Sequence, residues 1–228
     1  MIISHKHRFI FIKTKKTAGT SIEIALSRFC GEDDVITPFV DRPDEEARQR
    51  LGYRGPQNYK TPQLAGADVD WGDFAPDPEH YNHEPAFILR QRISRDIWES
   101  YLKFSVERNP WDRAVSLYYF RLSKSKRSPS LKEFITTVKP KVLTNFRRYA
   151  IDDTLAVDHV MRYENVDLEM LQIGQRLRLP ESLELPDYRA KGQFRADKRH
   201  YRELMGEEER DVVAKACAKE IELFGYEF

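Results

Sequence analysis

The sequence predicts an α/β fold with a central parallel sheet flanked by helices. Three segments support this prediction, because each reads as a strand followed by a loop and an amphipathic helix. Strands are expected over 8–13, 101–107 and 158–164, and helices from about Thr20, from Pro110 and over 167–177. Alternating strands and helices are typical of parallel sheets that are covered on both faces. The ligand of such a sheet binds at the carboxyl ends of its strands.

The first strand and its helix enclose a loop of small and hydroxyl residues. The strand is the apolar run Phe9-Ile-Phe-Ile12, and the helix carries its apolar residues at helical spacing: Ile22, Ala25, Leu26 and Phe29. Between them lies Lys16-Thr-Ala-Gly-Thr-Ser21. Backbone N–H groups and hydroxyls at a helix N-terminus converge on an anion. The segment therefore predicts a phosphate cradle.

A second candidate anion site follows the strand over 101–107. Arg108 stands at the strand end, and Pro110 suits the first turn of the next helix. Ser116 comes eight positions after Arg108 (116 − 108), about two helical turns at roughly 3.6 residues per turn. Arg108 and Ser116 could bind a second phosphate. The two loops thus predict the two halves of one nucleotide-binding site, although Arg108 could instead form an ordinary ion pair with Asp112 or Glu107.

The remaining elements are predicted from caps and periodicity. A helix is expected over 85–93, another after the capping box Ser130-Leu-Lys-Glu133, and a last one over about 207–224 that ends at Gly225. The stretch 31–82 is rich in Pro, Gly, Asp and Tyr and reads as a long loop with a brief helical pattern near 44–51. It is either an acceptor-site lid or a connection without function.

Composition limits the class of protein. A chain of 228 residues supports one sizeable core, so a single domain over 1–228 is expected. The formal net charge of +1 gives no global field that would attract nucleic acid. Cys30 and Cys217 form neither a disulfide framework nor a metal-ligand pattern, and they are expected to be buried free thiols in helices. Because the N-terminal apolar run is too short for a membrane span or a signal peptide, a cytoplasmic location is expected. A chain from which an upstream membrane anchor had been removed would show the same sequence pattern.

The loop at Lys16 differs from the common phosphate loop Gly-x-x-x-x-Gly-Lys-Ser/Thr. In this chain the lysine precedes Gly19, and no second glycine opens the loop. No obvious metal-binding aspartate ends a later apolar strand. These differences argue against a magnesium-dependent NTPase.

As a pair and in this order, the segments 16–21 and 108–116 resemble the sulfotransferase family that uses 3′-phosphoadenosine 5′-phosphosulfate (PAPS). The resemblance is closest to the carbohydrate-type branch, sulfotransferase family 2, and it implies a P-loop-like fold. It extends to 104–113, 160–164 and 220–228, and covers most of the chain outside 31–82. Two departures stand out: Lys15 occupies a place where many relatives have proline, and the segment 195–199 matches the family's late cofactor loop only loosely.

The resemblance implies a role for each loop residue. The 5′-phosphosulfate would be bound by Lys16, Thr17, Ala18, Gly19, Thr20 and Ser21, and the 3′-phosphate by Arg108 and Ser116, with Arg195 as a further candidate. Sulfuryl transfer needs positive charge where the leaving phosphate oxygen becomes more negative, and Lys16 is placed for that catalytic role. Lysine, arginine, hydroxyls and backbone amides can match the phosphates, so no metal is expected.

The acceptor is expected to be a hydroxyl, which needs a general base, and histidine titrates nearest the working pH. His83 is the candidate, since the carbohydrate-type relatives place a catalytic histidine in a similar position before a helix. His80 and Glu84 are alternative bases, and His83 could also be a helix-capping or solvated residue. The resemblance favours a saccharide or glycan-like acceptor. Two other classes stay open: a small-molecule kinase with an atypical phosphate loop, and a non-catalytic nucleotide-binding or scaffold module.

Overall fold

The structure is a computed structural model that describes residues 1–60, 80–188 and 194–228. It divides into two compact units, each made from two stretches of the chain. The first comprises Met1–Val106 and Arg147–Ala190, and the second Glu107–Phe146 and Lys191–Phe228. The single domain over 1–228 stays a prediction.

The strands of the described residues form two sheets. They are β1 (Ile2–Ser4), β2 (Phe9–Phe11), β3 (Val35–Ile36), β4 (Leu102–Glu107), β5 (Ala150–Ile151), β6 (Thr154–Leu155) and β7 (His159–Arg162). The larger sheet has the order β3-β1-β2-β4-β7, and β5 pairs with β6 in a separate two-stranded sheet. The three strands predicted from the sequence are confirmed as β2, β4 and β7. The strands β1 and β3 were not predicted.

The central sheet is mixed, so the expectation of a parallel sheet is corrected. The strands β2 and β4 are parallel, with Phe9 opposite Leu102 and Phe11 opposite Phe104. The strand β1 is antiparallel to both β2 and β3. The reason is the connection between β1 and β2: the short turn 5–8 allows a hairpin, whereas parallel neighbours need a crossover of about a dozen residues or more.

The helices in chain order are α1 (Gly19–Ser27), α2 (Arg42–Arg50), α3 (Ala86–Arg92), α4 (Arg95–Ser100), α5 (Pro110–Leu122), α6 (Leu131–Thr137), α7 (Pro140–Leu143), α8 (Phe146–Tyr149), α9 (Val166–Arg176), α10 (Tyr201–Leu204), α11 (Glu207–Ala216) and α12 (Ala218–Phe224). A 3-10 turn covers Tyr163–Asn165. Within 31–82, α2 confirms the brief helix expected near 44–51, whereas the strand β3 was not expected. Residues 61–79 of the proposed lid lie outside the described residues.

The caps explain where several helices begin and end. Asn109 Oδ1 accepts from the backbone N–H of Trp111, 3.1 Å away, so α5 begins at Pro110 as predicted. Ser130 Oγ likewise accepts from Glu133 N at 3.1 Å and caps α6. The last predicted helix is corrected: it breaks at Cys217 (φ −117°, ψ 25°) into α11 and α12. Gly225 ends α12 in the left-handed conformation, with φ 60°.

Each unit has its own apolar core. In the first, Phe9, Phe11 and Phe104 of the sheet pack with Ile22 and Leu26 of α1. In the second, α5 packs through Trp111 and Val115 against residues of α6 and α11. The thiols of Cys30 and Cys217 are buried and free, as expected, but they lie just outside helices. None of the helices in the described part of the chain is both long and apolar enough to cross a membrane.

Candidate active site

The loop after β2 is anchored to the neighbouring strand by hydroxyl groups. Thr14 Oγ1 donates to the main-chain oxygen of Val106 in β4. The same Thr14 oxygen lies 2.8 Å from Thr17 Oγ1, so a hydrogen bond between two buried threonines links the two ends of the turn. Because β2 and β4 are parallel, the loop lies at the carboxyl ends of both strands, where α/β sheets bind ligands.

The loop contains two residues with a left-handed backbone conformation. Lys16 (φ 63°) and Ala18 (φ 59°) are left-handed, which few residues other than glycine adopt without compensation. Ala18 directly precedes α1, and none of the described side chains caps that helix or places an acid in its first turn. The first N–H groups of α1 therefore remain available to an anion, and the positive end of the helix dipole points the same way.

Gly19 is required by close packing under the loop. A Cβ atom at this position would lie 2.8 Å from Lys13 Cγ and 3.3 Å from the main-chain oxygen of Thr14. The side chain of Lys13 cannot move away easily, because it is only 2% exposed and its Nζ lies 2.5 Å from Glu23 Oε2. The glycine thus allows the loop to approach this buried ion pair.

The Lys13–Glu23 pair is a buried ion pair directly beneath the loop. Burial alone would raise the pKa of Glu23, but the ammonium of Lys13 and the amino group of Met1 outweigh it and lower this pKa to about 2. Glu23 is therefore ionised at neutral pH and holds Lys13 in place. This pair was not predicted from the sequence, because a glutamate among apolar helix residues and a lysine after a strand carry no spacing signal.

His83 lies beside the same loop. Its Nδ1 is 3.2 Å from the main-chain oxygen of Lys13, and its own carbonyl accepts from Arg148 Nη1. A carbonyl oxygen only accepts, so in the neutral ring Nδ1 carries the proton and Nε2 keeps its lone pair. Burial, followed by the charges of Lys13 and Arg148, holds the pKa of His83 well below 6.5. The residue is left-handed, with φ 63°, a strained conformation typical of functional positions.

The two alternative bases have a different environment. Glu84 is fully buried, and its carboxylate bridges His80 Nδ1 and Arg92 Nη1, each at 2.9 Å. His80 is also buried, at 1% exposure. The cluster ties the segment before α3 to that helix and flanks His83. These contacts fit a supporting role for His80 and Glu84 better than contact with an acceptor.

The second unit contains the other predicted anion-binding residues. Asp112 accepts from Arg108 Nε at 2.7 Å and lies 2.6 Å from Arg195 Nη1. The ion pair of Arg108 with Asp112, which the sequence left open, is therefore present. Burial tends to raise the pKa of Asp112, but Arg108 and Arg195 lower it overall, so the carboxylate stays charged. One carboxylate thus brings two arginines together, including the loosely matched Arg195.

Ser116 lies one helical turn after Asp112 in α5, on the same face. Buried ion pairs, which were not predicted from the sequence, hold the start of this helix in place. Arg113 lies 3.5 Å from Glu107 and 3.4 Å from Glu220, and Glu220 also accepts from the backbone N–H of Asn145 at 2.9 Å. All of these contacts lie within the second unit. That Arg108 and Ser116 share one ligand with the loop at Lys16 stays a prediction.

Among the described residues, no group of three or more His, Cys, Asp and Glu side chains is arranged to hold a metal ion.

Comparisons with known proteins agree with the resemblance. The family model described as "Sulfotransferase family", from family 2, matches residues 1–227. An uncharacterized protein of Archaeoglobus fulgidus is 32% identical over 106 residues, which cover 44% of this chain and 88% of that relative. No solved structure matches the chain significantly. Since the family match spans nearly the whole sequence, the chain belongs to the sulfotransferase family, in its family 2 branch.

Proposed function

We propose that the chain transfers a sulfuryl group from PAPS to a hydroxyl group of a carbohydrate or glycan-like acceptor. The observation that carries the proposal is the uncapped N-terminus of α1 behind a loop with two left-handed residues, Lys16 and Ala18. Together with the family, it favours a P-loop-like strand, loop and helix that bind a phosphate-type anion. The preference for a saccharide rests on the resemblance to the carbohydrate-type branch.

The residues of the first loop fit the 5′-phosphosulfate end of the donor. Backbone N–H groups from Gly19 onward would donate to its oxygens, and Thr20 and Ser21 would add hydroxyls. Thr17 would contribute its backbone N–H, because its hydroxyl is bonded to Thr14. The absence of acids from the first turn of α1, among the described residues, avoids repulsion of an anion. Lys16 would place its ammonium near the oxygen that gains charge when the sulfuryl group leaves.

The 3′-phosphate would be bound by Arg108 and Arg195, which share Asp112 of α5. Guanidinium groups bind phosphates through paired, charge-assisted hydrogen bonds, and Asp112 holds Arg108 and Arg195 within reach of one another. Ser116 would add a hydroxyl from the next turn of the helix. That one donor contacts both segments is what the family resemblance implies.

His83 is the proposed general base. Its Nδ1 proton is directed to Lys13, so Nε2 would take the proton of the attacking hydroxyl as the new O–S bond forms. The donor, when bound, supplies an activated sulfuryl group whose bond to the phosphate oxygen breaks as adenosine 3′,5′-bisphosphate departs. The low pKa of His83 keeps the imidazole neutral at neutral pH, so Nε2 is unprotonated before the reaction.

A product screen tests the proposal. The chain would be incubated with isotopically labelled PAPS and a panel of saccharide, lipid and phenolic acceptors, and products would be identified by mass spectrometry. Labelled sulfate on a saccharide is expected. Sulfation of phenols or lipids alone would contradict the acceptor class, and transfer of a phosphoryl group from ATP with magnesium would contradict the donor.

A further inference from the structure

The first unit has a polar cavity at the sheet edge opposite the loop after β2. Its volume is about 360 Å³. Arg8 and Tyr101 directly precede the parallel strands β2 and β4, and Leu102 N donates to the main-chain oxygen of Arg8 at 2.9 Å. Arg176 and Arg178, from the end of α9, complete the wall. The cavity therefore lies at the amino ends of the strands, away from the candidate active site.

The charges of this cavity leave an excess of guanidinium groups. Its two carboxylates already have basic partners: Glu99 lies 2.7 Å from Arg95, and Asp158 lies 3.0 Å from Lys103. Within the part of the chain that the structure describes, Arg8, Arg176 and Arg178 form no ion pair.

The backbone holds two of these arginines in an uncommon conformation. Arg8 has φ 54° and Arg178 has φ 50°, both left-handed. Arg178 takes this conformation at the C-terminal cap of α9, where its N–H donates to the main-chain oxygen of Gln175 at 3.0 Å. Arg8 takes it in the turn between β1 and β2, so the local backbone fixes both positions. Arg8 also stacks over Tyr101, with its guanidinium carbon 5.3 Å from the ring centroid. The stacking limits the freedom of Arg8 before any ligand arrives.

We propose that this cavity binds a small sulfate or phosphate monoester, with Arg8, Arg176 and Arg178 holding the anionic group. A free tetrahedral anion would fill little of the 360 Å³, whereas small-molecule sites range from about 300 to 1,000 Å³. The ring of Tyr101 and the side chains of Leu102 and Leu177 offer apolar surface for the organic part of the ester. The proposal concerns a different edge of the sheet from the donor site and does not depend on the proposed function.

Amide NMR spectra at constant ionic strength test this site directly. The probes are glucose 6-sulfate, glucose 6-phosphate, glucose, inorganic sulfate and inorganic phosphate. One or both esters are expected to shift the amide signals of Leu102 and Leu177, and glucose is not. If only one ester binds, the comparison shows whether the cavity takes a sulfate or a phosphate group. If inorganic sulfate or phosphate binds as tightly as the esters, the proposal that the ligand is a monoester is wrong.

A pair of double variants separates this cavity from general charge effects. Arg176→Gln with Arg178→Gln should weaken ester binding about tenfold or more, because charge-assisted contacts are lost. Arg50→Gln with Arg202→Gln removes the same charge from exposed positions outside the cavity and should leave binding unchanged. Thermal melting checks that both variants fold. Absence of ester-induced shifts in the natural chain, or equal affinity in both double variants, would overturn the proposal.

Discussion

The imidazole Nδ1 of His83 lies 3.2 Å from the main-chain oxygen of Lys13, the residue that begins the turn into the candidate donor loop. This contact orients the ring and leaves Nε2 as its basic nitrogen. It also links the proposed base to the buried Lys13–Glu23 pair beneath the loop. Orientation and charge state of the base therefore depend on the segment that would bind the donor.

Replacing His83 by asparagine should suppress turnover and spare donor binding. Asparagine tolerates the left-handed backbone that His83 adopts, so the loop should keep its shape while the base is lost. We expect turnover to fall by about 10²–10⁴-fold, the usual contribution of a general base. The affinity for adenosine 3′,5′-bisphosphate, measured by calorimetry, should be nearly unchanged.

The control is His200→Asn, which changes an exposed helix-capping histidine to another good capping residue. It should retain full turnover. If His83→Asn also retains turnover, His83 is not the base, and His80 and Glu84 would be tested next.

The pH dependence of stability should report the buried state of His83. Its pKa in the folded chain lies below 6.5 because of burial and then the charges of Lys13 and Arg148, with Glu23 opposing them. The unfolded chain therefore binds this proton first as the pH falls. The resulting stability is present above the ordinary pKa and is lost as the pH falls through the lower folded value.

Urea unfolding at about pH 7 and about pH 5 measures this effect. The free energy of unfolding should decrease with acidification in the natural chain, and it should decrease less in His83→Asn. The other histidines contribute equally to both proteins. The same pH dependence in both would contradict the lowered pKa.

Gly19→Ala should destabilise the first unit although alanine is the better helix former. The new Cβ would lie 2.8 Å from Lys13 Cγ, and the paired lysine cannot move without disturbing Glu23. Overpacking of this kind costs about 1–3 kcal/mol. Thermal and urea unfolding would show the loss, and binding of adenosine 3′,5′-bisphosphate should weaken as well.

Gly55→Ala is the matched control, because its Cβ would meet Glu45 Oε1 at an ordinary 3.7 Å. It should leave stability and binding near those of the natural chain. Equal behaviour of the two alanine variants would show that the loop does not pack against Lys13 as described.

Arg108→Ala should weaken binding of adenosine 3′,5′-bisphosphate by about 1–3 kcal/mol, the range for a lost charge-assisted hydrogen bond. Arg108→Lys keeps the charge but loses the planar fork, so an intermediate loss is expected. Calorimetry measures both, with exposed Arg202→Ala as a control for net charge. Unchanged affinity in Arg108→Ala would remove Arg108 from the site and leave it a structural role that includes its pairing with Asp112.

The strand, loop and helix units were predictable because their signals are local. The apolar runs before Lys16 and Arg108 alternate or cluster as strands do, and Pro110 marks a helix start. The mixed sheet was not predictable in this way. The strand β1 has only three residues, Ile2–Ser4, and becomes a strand through pairing with β2 and β3.

The supporting charges of the site were missed because their partners are distant in sequence. Arg148 reaches the carbonyl of His83 across 65 positions, and Glu220 reaches Arg113 across 107. Neither pairing has a spacing that a pattern could detect. The loop residues were indicated by small and hydroxyl residues between a strand and a helix. The candidate base was chosen mainly from its match to a family motif, and the roles of both stay predictions.

The most direct test of the central claim is calorimetric titration of the natural chain with adenosine 3′,5′-bisphosphate and, separately, with ATP and magnesium. The account predicts tighter binding of the bisphosphate, weakened both by Lys16→Ala in the first unit and by Arg108→Ala in the second. Tighter binding of ATP with magnesium, or bisphosphate binding that neither substitution affects, would contradict it.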